Sequence, residues 1–302
     1  MVTPRYQLHM LLEELCLSER SNSSNQFLKD NKERKQNGQQ KRSGHHYSIL
    51  QLPGETRNQV YKLALTHISG KLYCWRRTTW YNGQAHHSFR VSRCKEPKSR
   101  HIDFNQLKFT CHQLYRETVD LETKFNTIIF TCLSLDQDRN IPIPDFLLYT
   151  SQCAGPRLCW LRTVILDYDK VTGLTVPEPA VTIAKLAHFC RRTPHVMVKY
   201  LFNVEGRSRC THPWYIPYLM RAYVFFNLAL RDLHVAPRIV LQPFQVDEAT
   251  RWRSKSSAAE MEAPNLRFFL ADWDEQALER WLYLAPQYQY GEMVRDWIQN
   301  GI

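Results

Sequence analysis

The sequence predicts an α+β protein: helical segments interrupted by a β-hairpin insertion, then an irregular βα-alternating region, either an ordinary α/β domain or a degenerate solenoid. Three observations lead there. Leu50 to Leu65 combines a proline–acid opening with an amphipathic stripe. Asn82-Gly83 stands between two runs of strand-forming side chains. Beyond Ile141, β-branched runs recur between helical stretches roughly every 35–40 residues.

Pro53 suits the first position of the first helix, where its missing N–H needs no partner. Glu55 adds a negative charge where the helix dipole favours it. Val60, Leu63, Ala64 and His67 then fall on one face, with Thr56 in line one turn earlier. Asn-Gly supplies the two positive φ angles of a type I′ turn, so residues 71–81 and 84–93 read as a hairpin. Leu72, Tyr73, Cys74, Trp75, Phe89 and Val91 give it strand-favouring side chains.

A long helix is expected over about Phe104 to Glu122, burying Phe104, Leu107, Cys111, Leu114, Tyr115 and Thr118. The β-branched run Thr127 to Thr131 reads as a strand. Then follow a helix from Pro144 to Cys153 and a strand at Leu161–Leu166. Ile183, Leu186, Ala187 and Cys190 mark another helix, and Val196–Phe202 another strand. A helix over Trp214–Leu233 and a strand at Arg238–Leu241 come next. Strands separated by helices argue for parallel pairing through helical crossovers. Arg251 to Pro264 reads as a polar linker. Two short helices close the chain, one capped by Asp272 with Glu275, the other facing inward through Met293, Val294, Trp297 and Ile298 and stopped at Gly301.

The composition bounds the function. Hydrophobic residues make up 43% of the 302, enough for a core. A net charge of +11 favours acidic partners: nucleic acid, anionic surfaces or acidic proteins. Nine cysteines, odd in number and without a Cys-x-x-Cys pair, fit a reducing compartment and exclude zinc spacing. Glu13 and Glu14 interrupt the only N-terminal apolar cluster, and Trp214–Leu230 is too polar for a membrane span. The expectation is an intracellular protein, cytoplasmic or nuclear, without membrane contact. Residues 21–44 lack apolar side chains and are expected to be disordered, in a tail of weak helical tendency.

Two separated blocks carry a resemblance. Leu52-Pro53-Gly54-Glu55-Thr56-Arg57-Asn58-Gln59-Val60-Tyr61 resembles the start of an F-box, and more closely the F-box-like domain of a large family of fungal proteins. Thr110-Cys111-His112-Gln113-Leu114-Tyr115-Arg116-Glu117, leading into Asn126-Thr127-Ile128-Ile129-Phe130, is similar to the same family's second helix and following strand. The chain departs from the pattern at Thr56, where the family has Ile or Leu, and at His112, where it has Arg. The resemblance covers roughly residues 48–131, and with the polar tail and the later alternation it divides the chain into a tail over 1–46, an F-box-like domain over 47–135 and a C-terminal α/β interaction domain over 141–302. It also implies a non-enzymatic protein–protein interaction protein that docks on the adapter subunit of a cullin-type ubiquitin ligase and recognises an unknown client. Leu52, Pro53, Val60 and Leu63 are then the candidate adapter contacts.

The alternative is a basic nucleic-acid-associated or structural protein that keeps this fold without ligase function. Its support is the cluster of Arg76, Arg77, Arg90, Arg93, Lys95, Lys98 and Arg100 among Trp75, Trp80, Tyr81 and Phe89. No catalytic constellation is apparent: no nucleophile elbow, no phosphate-cradling glycine loop, no His-Glu-x-x-His. Neither a catalytic residue, a metal site nor a cofactor is expected. Asp167 and Asp169, and the group His188, Cys190 and His195, read as structural.

Overall fold

The computed structural model describes residues 48–78, 85–91, 103–131, 142–153, 155–171, 180–204, 215–231, 243–270, 279, 283 and 291–302. The expected tail, the Asn82-Gly83 turn, the strand at Arg238–Leu241 and the helix capped by Asp272 lie outside them. The chain forms two compact units: one with residues up to Ile68 and Asn105–Phe125, the other with Ser69–Phe104 and Asn126–Ile302.

The first unit is helical. A 3-10 turn over Ile49–Gln51, started by the Ser48 hydroxyl, leads into α1 (Gly54–Leu65). Pro53 sits one position earlier than expected, as N-cap with φ −54° and ψ 147°. The buried stripe also differs. Tyr61 and Leu65 face inward, whereas Leu63 is 54% exposed and Val60 only half-buried. Tyr61 brings more apolar area than valine, and its hydroxyl finds a partner inside.

The helix expected over Phe104–Glu122 is broken into three pieces: a 3-10 turn at Leu107–Phe109, α2 (His112–Thr118) and α3 (Glu122–Phe125). Cys111 causes the first break. Its backbone is extended (φ −155°, ψ 165°) and its Sγ accepts from the Leu114 N–H at 3.5 Å, so it caps α2. Asp120 causes the second, with a left-handed φ of 63°. Leu107, Leu114 and Thr118 are buried as expected, while Cys111 and Tyr115 are exposed.

The second unit is a six-stranded sheet. Its strands are β1 (Lys71–Thr78), β2 (Ala85–Arg90), β3 (Thr127–Thr131), β4 (Thr163–Val171), β5 (Met197–Val204) and β6 (Leu266–Leu270), in the order β2-β1-β3-β4-β5-β6. The hairpin pair is antiparallel and every other pair parallel. The sequence groups the hairpin and β3 with the helices before Ile141. The pairing of β1 with β3, and of β3 with β4, instead places all three in the same sheet as the later strands. Gly70, at φ +62°, opens β1 and accepts from the Thr127 N–H through its carbonyl at 2.8 Å.

Between the strands run α4 (Pro142–Gln152), α5 (Gly155–Leu158), α6 (Ala180–Arg192), α7 (Tyr215–Arg231), α8 (Pro243–Lys255) and α9 (Ala258–Met261), and α10 (Gly291–Asn300) ends the chain. Crossovers of one hand that always step the same way put their helices on one face. The core agrees. Leu72, Cys74, Ile128, Phe130, Val164, Leu166, Val198, Tyr200, Leu266 and Phe268, alternate positions on one face, form one cluster with buried side chains of α4, α6, α7, α8, α9 and α10.

The linker expected over Arg251–Pro264 is contradicted. Those residues end α8 and form α9, with Trp252, Met261 and Ala263 buried. Ser257 and Glu260 make a reciprocal capping box at the start of α9. The sequence also assigned nothing to β6.

Candidate functional site

The two blocks that carry the resemblance meet in the helical unit. Arg57 of α1 grips Glu117 of α2 with both arms, Nε to Oε2 at 3.0 Å and Nη2 to Oε1 at 3.1 Å. The Tyr61 hydroxyl donates to Glu117 Oε2 at 2.7 Å, and the Gln113 amide donates to Oε1 at 3.0 Å. The remaining Arg57 nitrogen donates to the Leu52 carbonyl at 2.7 Å and the Leu50 carbonyl at 3.4 Å. One guanidinium thus ties the Leu-Pro entry to α1 and α1 to α2. Lysine, a point charge without the planar fork, cannot reproduce this geometry.

The electrostatics follow. Hydrogen bonds from Tyr61 and Gln113, with Arg57 adding its own, hold the Glu117 carboxyl below its usual range. Burial, then Glu117, push the Tyr61 hydroxyl up. A lowered carboxylate stabilises the fold above its unfolded pKa near 4.5, and that contribution disappears as pH falls through the folded value. The pair is one-fifth to one-quarter exposed, so its worth lies between that of surface and buried pairs. Glu117→Ala is expected to cost about 1–2 kcal/mol in urea unfolding, and adding Arg57→Ala is expected to cost less than Arg57→Ala does alone, the remainder being its bonds to the Leu52 and Leu50 carbonyls.

The candidate contacts divide. Leu63 and Pro53 are exposed, Leu52 and Val60 half-buried, and Thr56 is exposed between them. The sequence missed that Arg57, Tyr61, Gln113 and Glu117 act together. The signal was present in the motifs themselves, which place Arg and Tyr at i, i+4 and Gln and Glu at i, i+4.

The other candidates fall into structural places. Cys190 is buried and its thiol is pushed up to about 12 by burial. His195 and His188 are exposed, with His195 Nε2 3.1 Å from the Leu158 carbonyl. Asp167 lies buried on β4. No group of three His, Cys, Asp or Glu side chains comes together among the described residues. No helix among them is long and apolar enough to cross a membrane.

The described side chains of the basic–aromatic cluster are engaged. Phe89 and Trp75 are buried, Arg90 lies over the Trp75 ring at 4.5 Å, and Arg76 pairs with Asp145 of α4 at 2.7 Å. These two rings offer no open face for a base. The side chains of Arg77, Trp80, Tyr81, Arg93, Lys95, Lys98 and Arg100 lie outside the described residues. Compared with protein-family models, with curated proteins and with solved structures, the chain finds no match.

Proposed function

We propose that this chain is a non-enzymatic protein–protein interaction protein. Its F-box-like helical unit docks on the adapter subunit of a cullin-type ubiquitin ligase, and its sheet unit recognises a client. The observation that carries this reading is the meeting of Arg57, Tyr61, Gln113 and Glu117. They are motif residues of two blocks separated by the whole hairpin, and they serve to hold α1 against α2. That leaves the apolar residues of α1 that are not needed inside, Leu63 above all, facing outward. An outward leucine that packs nothing inside is an anchor without an internal role.

The test is a pull-down with purified ligase adapter. Leu63→Asp is expected to abolish retention while leaving helical content intact, because a charge at a docked anchor must be buried unpaired. Exposure at position 63 means the free protein tolerates the change. Thr56→Ile, which restores the family pattern, is expected to tighten binding severalfold through added apolar contact, about one methylene's worth or more. Equal retention of the native chain and Leu63→Asp, or none of the native chain, sinks the adapter reading.

A further inference from the structure

The helices leave the other face of the sheet, and strand register aligns it into rows. Tyr73, Ile129, Ile165, Lys199 and Arg267 form one row across β1, β3, β4, β5 and β6. Asp167, Leu201 and Phe269 lie in the next, and Thr163 and Met197 in the one before. Toward β3 this face is covered, with Ile129, Thr131 and Asp167 buried. Toward β5 and β6 it is open. Met197 is 36% exposed, and Lys199, Leu201, Arg267 and Phe269 are half-exposed.

Two cations therefore stand opposite one another on neighbouring strands, whose spacing is about 4.8 Å. Neither Lys199 nor Arg267 makes an ion pair with any described residue. Lys199 Nζ instead lies 5.0 Å from the Phe269 ring centroid. Like charges directly opposite each other destabilise a sheet unless an anion lies between them. Each edge strand is bonded at one described point: Ile302 and Phe268 exchange backbone bonds of 2.9 and 3.1 Å along β6, and the Phe104 N–H donates to the Phe89 carbonyl along β2 at 2.8 Å.

We propose that the open β5–β6 face is a docking surface for an extended acidic segment of a partner protein. Its carboxylates meet Lys199 and Arg267, and the apolar residues two positions to either side of them cover Met197, Leu201 and Phe269. Residues i, i+2 and i+4 of an extended peptide share one face about 6.8 Å apart, which matches rows two residues apart along β5 and β6, so a segment with apolar, acidic and apolar residues at those positions fits the surface. A single strand of nucleic acid fits less well, because the cation of Lys199 already occupies the Phe269 ring. The inference rests on the client-recognising role given to the sheet above, and it does not involve the α1 surface.

The experiment measures fluorescence anisotropy of the full chain with three labelled probes: a dodecapeptide repeating Leu-Ser-Glu-Ser, its counterpart with lysine in place of glutamate, and a dodecamer of uridylate. The glutamate peptide is expected to bind, to weaken about tenfold or more with Lys199→Glu/Arg267→Glu, and to weaken with added salt. The lysine peptide is expected not to bind. If the charge-reversed protein melts early, Lys199→Ala/Arg267→Ala serves, with a smaller loss expected in the same direction. Unchanged affinity in the folded variant, equal binding of both peptides, or uridylate bound in preference to the glutamate peptide overturns the proposal. Adapter retention through Leu63 is read separately, so failure here and failure of the ligase reading are told apart.

Discussion

Trp297→Ala is expected to destabilise the sheet unit by about 3–5 kcal/mol, the cost of emptying a fully buried indole site. Trp297 is the largest fully buried side chain described. Its ring packs with Tyr223 and Phe226 of α7 at centroid distances of 5.5 and 6.2 Å. Its Nε1–H donates to the Phe268 carbonyl of β6 at 2.8 Å. One residue thus joins α10, α7 and β6. Alanine removes the packing and one of the two N–H donors to that carbonyl, the Ile302 amide being the other. Trp297→Phe separates the contributions: it retains a ring and loses the donor, and it is expected to cost about 1–2 kcal/mol. Urea unfolding followed by circular dichroism measures both. A loss under about 1 kcal/mol for alanine would mean that α10 does not clamp β6. Gly301 belongs to the same clamp. At φ +70° it turns the chain back, so a side chain there is strained by its backbone, and its Cβ would crowd Arg267, Phe268 and Phe269 at 3.1–3.2 Å.

This clamp shows what the sequence carries and what it does not. The inward stripe of α10 is local, with Met293, Val294, Trp297 and Ile298 at helical spacing, and it was legible. Its partner β6 was not. The run Leu266-Arg267-Phe268-Phe269-Leu270 is short, and what fixes it in place is distant: the Asn265 amide donates to the carbonyls of Cys190, Thr193 and Val196. Helix α8 was misread because most of its end faces water. Arg251, Arg253, Ser254 and Lys255 are exposed, while Ala249, Trp252 and Ser256 turn in. Such a composition is shared by linkers and by helices that bury a narrow stripe. The break at Cys111 was hidden for another reason. Cysteine at an apolar spacing reads as core, and only its extended backbone reveals a cap. In the helical unit the motif residues were legible one by one, yet spacing alone could not choose between the Tyr61 and the Val60 side of α1. The Glu117 carboxylate decides it, because it draws Tyr61 inward and leaves Leu63 out.

The helical unit is also expected to lose stability as pH rises, through one carboxyl. Glu122 of α3 is fully buried. Asn105 Nδ2 donates to its Oε2 at 2.8 Å, and Lys108 Nζ stands 3.6 Å from its Oε1. Asn105 Nδ2 also donates to the Thr118 carbonyl, so the carboxyl is tied to the end of α2. Burial outweighs Lys108 and Asn105 and pushes the Glu122 carboxyl up to about 7, with Asp120 adding slightly in the same direction. A carboxyl raised in the folded state gives stability that is complete below its unfolded value near 4.5. That stability is lost as pH climbs through 7, because the folded chain then holds a buried charge that the unfolded chain keeps in water. The difference between the two values corresponds to roughly 3 kcal/mol across the window. Glu117 works in the opposite sense and in acid, below its unfolded value, so the two separate on the pH axis. Glu122→Gln keeps an oxygen for Asn105 and has no proton to lose. It is expected to match the native chain near pH 5 and to exceed it by about 2–3 kcal/mol at pH 8. Urea melts of both proteins from pH 4.5 to 8.5 measure this difference. Parallel profiles would mean that Lys108 holds Glu122 ionised throughout, and the folded unit would then contain a buried ion pair in place of a buried acid.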